Sequence, residues 1–192
     1  VPPRLTHART DPETLLKFLT ALSERVPEAT SPGAHVLLLA SRARARLLFG
    51  DTDGARTDLD DAARALDALG SAPPAVNAAY YGVRADLHKA RAEYGPYYRA
   101  ALLFLACVAL SELPADERAM RAHDLALAAL LGDSIYNFGE LLVHPVLGEL
   151  REPWLRDLLL AFNEGAIGKF EALAPRFPAE VPRTHGPHDG GC

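Results

Sequence analysis

Six times between residues 11 and 160 a proline is followed by apolar residues spaced three and four apart, at Pro12, Pro32, Pro74, Pro96, Pro114 and Pro153. Proline is tolerated in the first helical turn and expelled from helix interiors, so each such proline marks a helix start. Behind Asp11-Pro12 the stripe is Leu15, Leu19, Leu22 and Val26. Behind Ser31-Pro32 it is Val36, Leu39, Ala40, Ala43 and Leu47, and Gly50 suits the reversal that follows. A third helix is predicted from about Asp53 to Leu69, with inner face Ala55, Leu59, Ala62, Ala63, Leu66 and Leu69, closed by Gly70. Pro73-Pro74 opens a fourth carrying Val76, Tyr80, Val83, Leu87 and Tyr94. Gly95-Pro96 opens a fifth, apolar nearly all round from Ala100 to Leu110 and therefore expected to be central.

A sixth helix follows Leu113-Pro114 through Ala119, Ala122, Leu125, Ala126 and Leu130, and Gly132-Asp133-Ser134 breaks it. Short helical pieces are expected at 135–143 and 146–150. They are separated by a bend at His144-Pro145, because a residue before proline resists the helical region. Pro153 then opens a helix through Trp154, Leu155, Leu158, Leu159 and Phe162, and a last short helix is expected at 167–173. Residues 1–10 read as a flexible start. Residues 174–192, rich in Pro and Gly, read as a disordered tail.

Composition agrees with this all-helical pattern. The chain of 192 residues holds 34 Ala and 32 Leu against 9 Val, 2 Ile and 8 Thr, which excludes an all-β fold and disfavours a parallel sheet. The short Gly-Asp turn between the second and third helices is flanked by Leu48-Phe49, Ala55, Ala62 and Ala65-Leu66. That segment is similar to part of a tetratricopeptide repeat, where small residues let paired helices approach. The expected architecture is an α-solenoid of antiparallel helix pairs, with a compact helical bundle as the alternative.

Charge and special residues narrow the function. The net charge is −5, and the densest basic cluster, Arg42, Arg44 and Arg46, is offset by Asp51, Asp53, Asp58, Asp60 and Asp61, so nucleic acid is not the expected partner. The acidic run Asp58, Asp60, Asp61 and Asp67 reads as a solvated face. Cys107 lies in an apolar run and reads as a buried thiol of a reducing compartment; two distant cysteines make neither a disulfide framework nor a zinc set. The longest apolar run is too short to cross a membrane. The chain opens with Val and without a basic-plus-apolar leader, so no secretory signal is expected and the native start is expected to be missing.

No catalytic set emerges. His185, His188 and Cys192 offer metal ligands, but in a Gly/Pro-rich segment with nothing to orient them. Glu140 and His144 have the spacing of a carboxylate–imidazole pair on one helix face, without the second His of a zinc helix. His88 and His123 fall on regular helices, and the Gly50–Gly54 turn lacks the Lys of a phosphate loop and the ligand series of a calcium loop. No cofactor, metal or small-molecule substrate is expected. A helical array of this kind most often presents a surface to other proteins.

Residues 97–108, Tyr-Tyr-Arg-Ala-Ala-Leu-Leu-Phe-Leu-Ala-Cys-Val, resemble the Tyr-Tyr-Lys-x-Ala-Leu-x-Phe-Leu-x-Cys segment of a family of PCI-type proteasome lid subunits, non-ATPase regulatory subunit 13. The runs Leu127–Gly132 and Asn137–Leu147 (Asn-Phe-Gly-Glu-Leu-Leu-Val-His-Pro-Val-Leu) resemble it too. So do Trp154-Leu155, Leu160–Asn163, Thr10-Asp11-Pro12 and Phe18-Leu19. The resemblance implies a right-handed solenoid of repeat helices over 11–95, leading into the helical half of a PCI module over 96–173. The winged helix is expected to be absent, as are further repeats before residue 1. It implies a non-catalytic scaffold of the lid of the proteasome regulatory particle, cytoplasmic and nuclear, whose partners are lid subunits of the PCI and MPN families. PCI scaffolds of the signalosome or of translation initiation, and a free peptide-binding adaptor, are the alternatives; only three lysines (Lys17, Lys89 and Lys169) disfavour a carboxylate clamp. Tyr97, Tyr98, Asn137, Phe138, Glu140 and His144 lie in the matching motifs and are the candidate interface residues. Leu155, Leu158 and Phe162 are expected to be left uncovered and to promote self-association.

Overall fold

The computed structural model describes residues 12–133, 135–166 and 168. Among these it holds eight α-helices, two 3-10 turns and no strand. The helices are α1 Pro12–Arg25, α2 Pro32–Leu48, α3 Thr52–Leu69, α4 Pro74–Ala90, α5 Tyr94–Cys107, α6 Ala115–Leu131, α7 Gly139–Val143 and α8 Pro153–Asn163. The turns are Leu110–Glu112 and Pro145–Glu149. The start at 1–10, the helix at 167–173 apart from Gly168, and the tail at 174–192 lie outside the described residues, as do His185, His188 and Cys192. No described helix is long and apolar enough to cross a membrane.

Successive helices pack as antiparallel pairs, and the pairs stack into an α-solenoid. α2 lies along α3, α4 lies along α5, and α2 packs on α4 to join the pairs. The α2–α3 reversal uses Gly50 at φ +76°, a backbone state costly for any residue with a Cβ. Asp51 then caps α3, its Oδ1 accepting from the Gly54 N–H at 2.8 Å.

The core has two parts that share α4. Val36, Leu39 and Ala43 of α2 meet Ala55, Leu59 and Ala62 of α3 and Val76, Val83 and Leu87 of α4. The other face of α4, Ala78 and Ala85, belongs to a second core with Tyr97, Leu102 and Leu105 of α5, Leu125 of α6, Leu141 of α7 and Leu155 and Leu159 of α8. Half-buried Tyr81 packs against both. Small residues on α4 permit the close approach of α5. A Cβ at Gly82 would sit 3.2 Å from the Phe104 ring. The Arg121 guanidinium stacks over the same ring at 4.1 Å from the centroid.

Four expectations need correction. Tyr94 does not extend α4. The chain leaves the helix after Ala90, Ala92 adopts φ +54°, and Tyr94 becomes the exposed first residue of α5. The fifth helix ends at Cys107 rather than Leu110 because Val108 is extended, and Leu103 faces outward at 46% exposure. Asp58 is not on a solvated face: it is 2% exposed, with Arg42 Nη2 donating to its Oδ1 at 2.5 Å and Arg46 Nε 2.9 Å from its Oδ2. Leu155 and Leu158 are covered within this chain, whereas Phe162 is exposed as expected, with Leu160 exposed beside it.

Gly54 carries a test of the α3 cap. A Cβ there would fall 2.2 Å from an Asp51 carboxylate oxygen and 2.3 Å from Arg46 Nη1. Gly54→Ala is expected to displace the cap and the Arg46–Asp51 pair together and to lower stability by about 1–2 kcal/mol in urea unfolding, the scale of a lost N-cap. A gain of about 1 kcal/mol, the full helix preference of Ala over Gly, would show that the cap contributes nothing.

Candidate functional site

The motif-bearing residues gather where α5, α7 and the Pro145–Glu149 turn meet α6. Tyr97 and Tyr98 lie one turn into α5 and are both buried, at 4% and 6% exposure. Burial raises the Tyr97 phenol far above its usual 10.0, with the charge of Asp124 adding to the effect. Burial also raises Tyr98, and the nearby Glu140 carboxylate adds to that. A folded state that holds both phenols neutral is favoured below pH 10.0 and loses that advantage as pH rises, because the unfolded chain ionises first. We expect stability to fall steadily above pH 10, and a Tyr97→Phe/Tyr98→Phe variant to show a flatter alkaline limb in thermal scans. A parallel limb in wild type and variant would refute the assignment.

The segment after α6 is shaped by two local devices. The Asn137 side-chain oxygen accepts from the Gly139 N–H at 2.8 Å, which starts α7 late and leaves 135–138 outside the helix. α7 stops at Val143 because His144, preceding Pro145, is extended at φ −73° and ψ 134°. His144 leaves the face it was expected to share with Glu140. Its Nδ1 accepts from the Val146 N–H at 3.1 Å, which puts the ring proton on Nε2 when the ring is neutral, and the side chain caps the following turn.

The six candidates therefore separate. Tyr97, Tyr98 and Phe138 are core residues, and His144 is half-buried and engaged in its cap. Asn137 and Glu140 face solvent. Sequence reasoning missed the two apolar side chains that protrude beside them, Tyr136 at 91% and Val143 at 83% exposure. Their register gives the signal: Phe138, Leu141 and Val146 face inward, and positions 136 and 143 fall off that face.

Ion pairs hold this region to α6. Arg118 Nε reaches Glu149 at 3.2 Å, Arg151 Nη2 reaches Asp116 at 2.9 Å, and His123 Nδ1 lies 3.4 Å from Glu152. The other described histidines are also occupied. His35 meets the Val26 carbonyl at 3.2 Å, and His88 meets Glu93 at 2.6 Å. Cys107 is half-buried, and desolvation raises its thiol, which suppresses the thiolate. No group of three metal-ligating side chains occurs among the described residues. Among the described residues the histidines and Cys107 are thus each engaged or desolvated.

Comparison with known proteins places this geometry. Residues 4–159 match the family described as PSD13 N-terminal repeats. The chain belongs to the PSD13 family. Among its relatives, the Schizosaccharomyces pombe protein named probable 26S proteasome regulatory subunit rpn9 is 40% identical over 161 residues, 82% of this chain and 42% of that protein. The Arabidopsis thaliana 26S proteasome non-ATPase regulatory subunit 13 homolog A is 37% identical over 164 residues, 84% of this chain and 42% of that protein. The Saccharomyces cerevisiae 26S proteasome regulatory subunit RPN9 is 33% identical over 183 residues, covering 87% and 47%. The chain thus spans less than half the length of these PSD13 relatives. The matched repeats run without interruption from before α1 into α8, across the α4 helix that both cores share.

Proposed function

We propose that this chain is a non-catalytic structural piece of the proteasome regulatory particle lid. On this reading it acts in the cytoplasm and nucleus and supports the assembly that degrades ubiquitinated proteins. Its partners are other lid subunits of the PCI and MPN families. The observation that carries the reading is the match of residues 4–159 to PSD13 repeats, in a fold of stacked helix pairs. Relatives named as non-ATPase regulatory subunits of the 26S proteasome support it. So does the chemistry of the surface, where each described histidine is held by a carboxylate or a backbone group. Residues 11–95 are proposed as the repeat segment and 96–173 as the helical part of a PCI module. The second core ties α5 to α6, α7 and α8, and α4 joins it to the first through Ala78 and Ala85.

The proposed contact surface is the exposed edge of the α6–α7 region, with Asn137 and Glu140 as polar rim and Tyr136 and Val143 as apolar anchors. Exposed tyrosine is a frequent hot spot in protein interfaces. Tagged wild-type chain is expected to recover identified 26S regulatory subunits from lysate. Tyr136→Ala is expected to weaken that recovery by about 2 kcal/mol, roughly thirtyfold in affinity, with thermal stability unchanged. Undiminished recovery by a Tyr136→Ala/Val143→Ser variant would remove this edge from the interface.

A further inference from the structure

A cleft opens between the two helix pairs, where α3 and α4 diverge. Arg56 and Asp60 of α3 form one wall, and Arg84 and His88 of α4 form the other. The α4–α5 corner closes one end with Arg91 and Glu93. Its floor is apolar, built from Leu59 and Leu87, which are 1% and 3% exposed. The enclosed volume is about 100 Å³. Sites for whole small molecules run from roughly 300 Å³ upward, so this cleft has room for one side chain.

Three arginines line this cleft on a chain whose net charge is −5. The two carboxylates of the cleft do not neutralise them equally. Glu93 is shared between His88 Nδ1 at 2.6 Å and Arg91 Nε at 3.0 Å, and Arg91 also reaches Asp53 at 3.1 Å. Asp60 lies 3.9 Å from Arg56. Arg84 gives an N–H to the Tyr80 hydroxyl and leans over the Tyr80 ring, and it has no carboxylate within ion-pairing distance among the described residues. A guanidinium has five N–H donors in a planar fork that matches a carboxylate two-to-two. Arg84 is thus a half-buried cation with spare donors, lining a slot about the size of one side chain.

The geometry points to a receptor site for the carboxylate of a glutamate side chain from a partner protein, with Arg84 as the fork. The methylenes would lie on Leu59 and Leu87, and Arg56 would supply the second positive charge. That the carboxylate comes from a protein rests on the scaffold reading; the preference for a carboxylate does not.

The test uses the full chain and NMR detection of the arginine Nε–H signals. Three probes are titrated: acetyl-Gly-Glu-Gly-amide, acetyl-Gly-Gln-Gly-amide and inorganic phosphate. The Glu peptide is expected to shift the Arg84 and Arg56 signals saturably and to bind at least about tenfold more tightly than the Gln peptide. Arg84→Gln should lose that difference, while Arg25→Gln, on exposed α1, should keep it. Tyr80→Phe, which frees the donor Arg84 spends internally, should bind at least as well as wild type. Should Arg84→Gln fail to fold, Arg84→Lys carries the test: charge without the fork is expected to bind about threefold more weakly. Equal binding of the Glu and Gln peptides overturns the proposal. So does phosphate binding without Glu binding, unchanged binding in the folded Arg84 variants, or a loss in Tyr80→Phe as large as in Arg84→Gln. The readout is direct binding to purified chain, so it fails or succeeds independently of whether proteasome subunits are recovered from cells.

Discussion

Replacing Asp58 with alanine is expected to destabilise the chain by about 3–5 kcal/mol, the cost of breaking a buried ion pair from one side. Asp58 joins the two helices of one pair: Arg42 donates to one carboxylate oxygen at 2.5 Å and Arg46 lies 2.9 Å from the other. The Asp58 side chain is 3% exposed and that of Arg42 17%. Removing the carboxylate leaves the Arg42 and Arg46 guanidiniums, one turn apart on α2, side by side at the α2–α3 seam without their shared counter-charge. A domain of this kind has a total stability of about 5–15 kcal/mol, so the loss threatens folding itself. The same physics gives a control. Replacing all three charges together, as Arg42→Met/Asp58→Leu/Arg46→Met, removes the attraction and the desolvation cost at once and is expected to be much milder than Asp58→Ala alone. Urea unfolding of the two variants checks the order, and a triple variant as damaged as the single one would contradict it.

Leu125→Ala is the second large effect. Leu125 is fully buried in α6, in the core shared by α5 and α8. Truncation removes the transfer energy of its side chain and leaves a cavity between helices that cannot collapse independently, a loss of about 2–5 kcal/mol. α8 makes most of its contacts with α6, so its amides are expected to lose hydrogen-exchange protection first. Leu103→Ala, on the outward side of α5, should cost far less. Similar losses at both positions would mean the core is not organised around α6.

The sequence is most legible where one physical rule dominates. Proline starts helices α2, α4 and α8, glycine reverses the chain at Gly50, and the His144-Pro145 bend falls where the residue before proline must be extended. The inner stripes of α2 and α3 follow from spacing alone. Asp58 was misread because its neighbours Asp60 and Asp61 suggest a solvated run. Yet it stands at positions three from Ala55 and four from Ala62, inside the apolar stripe, and Arg42 and Arg46 were in reach to neutralise it. The misplacement of Tyr94 has a different cause. Tyr94 continues the fourth stripe in register, and only the left-handed backbone at Ala92, a residue with no preference for that state, ends the helix.

The surface is less legible because protein interfaces have no fixed chemical signature. Motif residues with the bulk of core residues, Tyr97, Tyr98 and Phe138, turn out to be core residues. Protruding Tyr136 and Val143 flank Phe138 in sequence, Tyr136 just outside the matching run and Val143 within it, and nothing in the run's residue types sets Val143 apart. The Arg84 cleft depends on how two helix pairs splay, which no local pattern encodes.

The most direct test of the scaffold assignment is sedimentation. The tagged chain is expressed at low level in cells, the lysate is run on a glycerol gradient, and chain and 26S subunits are quantified across the fractions. The scaffold account predicts that a substantial share of the chain co-sediments with the regulatory particle, and that Tyr136→Ala shifts it to the top of the gradient. A wild-type chain found entirely at the top, even when extended with the remaining length of a PSD13 relative, would contradict the account.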